Sequence, residues 1–125
     1  MQKSKRAFSL LFLFFTSIVS AEDMTYLLQS SPGQRAESQT RFMKTKLDLS
    51  DDVAIKVEAI NLEYAEKVEP VLKGSSLALI KKHDIEGIQE QKDNALRLVL
   101  TAQQFDIYVN SKDELKQALK QDLSH

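Results

Sequence analysis

The stretch Leu100-Thr101-Ala102-Gln103-Gln104 restricts the fold more than any other part of the chain, because it spells a helix-to-helix corner. A leucine closes one helix and a threonine caps the next. The threonine oxygen accepts from an unpaired N–H of the new helix, and a glutamine three residues on reaches back to the cap's own N–H. Leu49-Ser50-Asp51-Asp52-Val53 is a weaker echo upstream. Two such corners in a chain of 125 residues predict two helical hairpins.

The intervals between the corners carry helical periodicity. Val53, Val57, Ile60, Tyr64, Val68 and Val71 recur at spacings of three and four, the mark of one apolar helix face. Asp51 and Asp52 complement the dipole at its start, and Pro70 and Gly74 stop it, so a helix is predicted over 51–73. Ala36, Thr40, Met43 and Leu47, with Phe42 beside them, predict a helix over 35–46. A third helix, opened by Ser75 or Ser76, is expected over 76–99 with Leu77, Ile80, Ile85, Ile88, Ala95 and Val99 as its apolar positions. Thr101 opens a last helix over 102–122, with Phe105, Tyr108, Val109, Leu115, Leu119 and Leu123 inward. Asn110 is where that helix would bend, since Ser111 and Glu114 spell another capping box. Ser30-Ser31-Pro32-Gly33 is loop chemistry, and residues 22–34 read as a flexible leader. With three glycines and two prolines the chain lacks the turn residues of a sandwich or barrel. The fold class is therefore all-α, a four-helix domain over 35–123.

Before that domain lies an address. Lys3, Lys5 and Arg6 precede an almost unbroken apolar run from Ala7 to Val19, and Val19-Ser20-Ala21 supplies small residues for cleavage after Ala21. This is the layout of a secretory signal peptide, residues 1–21. The run is shorter than the roughly 20 residues of a spanning helix, so no stable membrane insertion is expected after cleavage. Loss of the three leader cations leaves 14 Lys and Arg against 18 Asp and Glu, a net charge of about −4. Nucleic acid and anionic bilayers are poor general partners for such a chain. The chain has no cysteine, which excludes disulfides, thiolate metal sites and a cysteine nucleophile.

Chemistry-bearing constellations are few. The two histidines, His83 and His125, have no partner at metal-ligand spacing, so no metal is expected. No glycine-rich phosphate cradle occurs, so no cofactor is expected. Asp51-Asp52 and Glu63 with Glu66 are explained by cap chemistry and a solvated face, and the chain does not read as an enzyme. Lys112, Lys116 and Lys120 line one face of the last helix. A solubilising face is the simpler account of them, and a basic stripe contacting an acidic partner is the functional one. Four thin helices cannot hide every apolar residue in one monomer. Leftover apolar surface becomes a dimer interface or a binding groove, which points to a binding protein.

Leu100, Thr101 and Gln104, followed by Phe105 and Tyr108, resemble the repeated Leu-Thr-x-x-Gln signature of the Spy/CpxP group of periplasmic proteins. Leu49 and Ser50 match a degenerate first copy in which Val53 replaces the glutamine. The resemblance covers roughly 38–119. Asn61-Leu62-Glu63-Tyr64-Ala65 also looks like small exported relatives of Bacteroidetes type. The resemblance implies hooked helical hairpins joined as an antiparallel homodimer in the periplasm. It also implies nucleotide-independent binding of unfolded or partly folded envelope proteins. The alternatives are a regulatory adaptor of one membrane stress sensor and a purely structural small dimeric envelope protein.

Overall fold

The computed structural model describes residues 21–124, with side chains described from Thr25 onward. The expected signal peptide lies almost wholly outside the described residues, as does His125. Among the described residues six helices follow in order: α1 (Ala21–Gln29), α2 (Pro32–Lys46), α3 (Asp51–Lys73), α4 (Ala78–Val99), α5 (Ala102–Asn110) and α6 (Lys112–Leu123). No strand occurs among the described residues.

Helix α3 is the longest and lies at the centre. It packs most extensively on α2 and then on α4, while α6 lies along α2 and α1. Met43, Leu47, Leu49, Val57, Leu96, Leu100, Tyr108, Leu115 and Leu119 meet in one core, so that α2 to α6 all contribute.

The segment expected to be a flexible leader contains a helix. Ser31 Oγ accepts from Gln34 N and Ser31 N donates to Gln34 Oε1, a reciprocal box with Pro32 at the first helical position. That arrangement moves the start of α2 from residue 35 back to Pro32. Arg35 then reaches across the turn and donates to Leu27 O at 2.8 Å and Ser30 O at 2.6 Å. A cation placed on the last carbonyls of a helix satisfies orphan acceptors and complements the dipole. The two bonds hold the end of α1 against α2.

Two other boundaries differ from expectation. The single helix expected over 102–122 is two helices, broken at the buried Ser111. Ser111 makes no side-chain cap bond, and Glu114 pairs instead with Lys46 of α2 at 2.9 Å. The break lets α6 turn onto α2. Neither Ser75 nor Ser76 caps the third long helix. Leu77 occupies the cap position and offers no side-chain acceptor. The stop after α3 is as expected, with Pro70 one turn from the end and Gly74 at the cap. A Cβ at Gly74 would sit 3.1 Å from Pro70 O, so a larger residue there requires the last turn of α3 to give slightly.

Candidate functional site

The two corners come together in space. At the second, Gln104 N donates to Thr101 Oγ1 at 3.1 Å and Thr101 N donates to Gln104 Oε1 at 3.0 Å. Gln104 Nε2 also donates to Leu47 O at 3.4 Å, the last carbonyl of the other hairpin's first helix. One amide thus closes its own box and bridges to the end of α2. A glutamate could close the box and could not make the bridge, because it has no N–H. Leu49 and Leu100 are both buried in the shared core.

The first corner uses different chemistry. Leu49 N donates to Lys44 O and Asp48 N to Thr45 O, with Asp48 in the left-handed region at φ 51°. This is a Schellman stop in which aspartate stands where glycine is usual. Ser50 then caps α3 by accepting from Val53 N at 3.3 Å. Val53 packs partly buried against the core instead of completing a box. Lys44 and Asp51 pair across the corner at 2.7 Å, and this hydrogen bond with its charge holds the Asp51 carboxyl below the usual range.

Exposed apolar side chains lie at both ends of the α3–α4 hairpin. Leu77 and Leu79 are 73% and 77% exposed and Ile80 is also exposed, although Leu77 and Ile80 were expected in the core. Leu98, 86% exposed, and Ile55 add apolar positions elsewhere on the same two helices. The only fully buried residues of α4 are Lys92 and Leu96, both in its second half. Lys81 Nζ donates to Leu72 O at 3.0 Å and ties the start of α4 to the end of α3. The basic stripe is less open than its spacing implies. Lys112 is paired with Asp93 and lies over the Tyr108 ring, while Lys116 and Lys120 are half-buried.

Two buried cations were not anticipated from the sequence. Arg35 is buried with its charge paired to Glu69, which also meets Lys73 at 3.1 Å. The Arg35 hydrogen bond lowers the Glu69 carboxyl, and desolvation opposes it. Lys92 is only 3% exposed and donates to Gln39 Oε1 at 2.9 Å. Burial pushes its ammonium down to about 8, with Asp93 opposing and Lys112 reinforcing the shift. Arg35 and Lys92 both line a cavity of about 170 Å³ among α1, α2, α3, α4 and α6. The signal for Lys92 was present: it stands four residues after Ile88 and four before Leu96, in apolar register.

His83 is exposed on α4. Among the described residues no cluster of His, Cys, Asp or Glu is placed to hold a metal ion, and no helix is long and apolar enough to cross a membrane. The bonded corners and the buried cations define an all-helical chain with a polar cavity and uncovered apolar surface. No family model, no curated protein and no solved structure matches it.

Proposed function

We propose that this chain is an exported, nucleotide-independent binding protein that holds exposed segments of unfolded or partly folded polypeptides. In this reading it is a divergent relative of the Spy/CpxP group that works in the periplasm as an antiparallel homodimer of hooked hairpins. The observation that carries the reading is the apolar surface of the α3–α4 hairpin, above all Leu77, Leu79 and Leu98. Each such side chain contributes roughly 1.5–3 kcal/mol when fully covered. Association itself costs about 4–15 kcal/mol. A few leucines therefore hold a client weakly and release it without an energy source. The Leu-Thr-x-x-Gln corner supports the family relationship through the two roles of Gln104.

The test uses the chain without residues 1–21 and two unrelated aggregating client proteins. Slowed aggregation of both at near-stoichiometric amounts is expected. Replacing Leu77, Leu79 and Leu98 together by glutamine is expected to abolish that effect while leaving the melting midpoint near the parent value. A folded, helical sample without effect on either client overturns the proposal. Indifference to both, with tight binding to one envelope sensor, establishes the adaptor reading instead.

A further inference from the structure

The cavity among α1, α2, α3, α4 and α6 poses a problem of charge. Lys92 lines it and is almost completely withdrawn from water. An ammonium has three donors, and Gln39 Oε1 takes one of them. No described carboxylate lies within ion-pair distance of it. Its neighbour Asp93 is already engaged by the Tyr108 hydroxyl and by Lys112. Arg35 in the same wall has its counterion in Glu69 and spends other donors on the carbonyls of α1. Among the described residues, one cation of the cavity has a paired carboxylate and the other does not. A buried charge without a counterion costs several kcal/mol, and lysine holds this apolar-register position nonetheless.

We propose that the cavity is a binding site for a small monocarboxylate with an apolar body, its carboxylate paired to Lys92. The volume sets the size of the ligand. At about 170 Å³ the cavity is close to the roughly 150 Å³ apolar cavity that accepts a benzene ring. A nucleotide or a long acyl chain does not fit. The walls set its character. Leu27, Val68, Ile85 and Leu119 supply apolar surface for a ring or branched chain. Gln39 and Gln89 supply amides beside the ammonium. Phosphate and sulfate need more donors than this and would leave the apolar walls unused. At neutral pH Lys92 remains mostly charged, as the site requires.

The test is calorimetric and ligand-observed NMR titration of the chain without residues 1–21 with benzoate, 3-methylbutanoate, benzyl alcohol and inorganic phosphate. Saturable one-to-one binding of the two carboxylates is expected, with benzyl alcohol and phosphate at least tenfold weaker. Lys92→Met keeps the apolar stem and is expected to remove the preference for benzoate over benzyl alcohol. A measurement on the unaltered protein stands beside it in case that variant does not fold. Benzoate affinity is expected to fall as pH rises from 7 to 10 and Lys92 loses its proton. Of the other ionisable groups, Tyr26 on α1 and Arg35 on α2 line the cavity, and Asp93 on α4 and Lys112 on α6 act on Lys92. Burial brings the Lys92 ammonium down to about 8, inside the range of the titration. No saturable carboxylate binding, equal binding of benzyl alcohol, or an affinity that is flat with pH overturns the proposal. None of these outcomes bears on client aggregation.

Discussion

Asp48 and Thr101 act on the two corners in opposite senses. Asp48 is the non-glycine residue with a left-handed backbone among those described, and it is exposed. An L side chain in that region costs about 1 kcal/mol, and no hydrogen bond of the Asp48 side chain offsets it. Asp48→Gly is expected to stabilise the protein by at most about 0.6 kcal/mol, because glycine's freedom in the unfolded chain takes back roughly 0.4–1 kcal/mol of the gain. Thr101 is the reverse case. Its hydroxyl satisfies an orphan N–H of α5, and its alanine replacement is expected to cost about 1 kcal/mol. For a domain of this size each kcal/mol moves the melting midpoint by about 4–8 °C. Thermal unfolding followed by helix ellipticity checks both. A lowered midpoint for Asp48→Gly, or an unmoved one for Thr101→Ala, contradicts the corner geometry.

At the scale of the element, what was legible in the sequence was what is decided within one turn of chain. The Thr101–Gln104 box needs four consecutive residues, and it forms as its spelling predicts. Met43 of α2, Leu47 at its C-cap, and Leu115 and Leu119 of α6 are buried as their periodicity indicates. The face of α3 is rotated from the predicted one. Ala54, Val57, Asn61, Ala65, Val68 and Leu72 are buried, whereas Val53, Ile60, Tyr64 and Val71 are only half covered. Helix α3 is clamped between α2 and α4, and small residues at the centre of its face let both approach. A pattern weighted by hydrophobic bulk points to the flanks instead. Asn61 sits inside that face because Thr40 of α2 accepts from its amide at 3.0 Å, a partnership 21 residues away. Separation in sequence likewise hid the capping of α1 by Arg35, 8 residues from Leu27, and the bond from Gln104 to Leu47, 57 residues away. Leu77 and Ile80 were misread for a further reason. Periodicity marks a face that can be buried, but cannot tell whether a neighbour extends far enough to cover it. The site fared worse than the fold, since Lys92 was visible only as a charge out of place.

For the molecule as a whole, the polar groups that dock α4 make its stability depend on pH in an uncommon direction. Lys92 ties α4 to α2 through Gln39, and Asp93 ties it to α5 and α6 through Tyr108 and Lys112. Burial lowers Lys92 from 10.5 to about 8. Between those values the unfolded chain binds the proton that the folded chain has released, so stability rises with pH, by up to about 1.4 kcal/mol per unit. Below about 8 both states are protonated and the full penalty of the buried charge is present. Tyr108 acts the other way. Burial first, and then the nearby Asp93 charge, raise its hydroxyl above the ordinary value of 10.0. The folded chain therefore keeps a proton that the unfolded chain loses above about 10, and stability falls there. The joint contribution of these two groups to stability is therefore greatest near pH 10. Urea unfolding at fixed ionic strength from pH 7 to 11 is expected to show the rise and the fall. Lys92→Met should remove the rise and raise stability at pH 7, while Tyr108→Phe should remove the fall. A midpoint that is flat or declining from pH 7 to 10 would mean that the Lys92 ammonium is paired or hydrated in the folded protein.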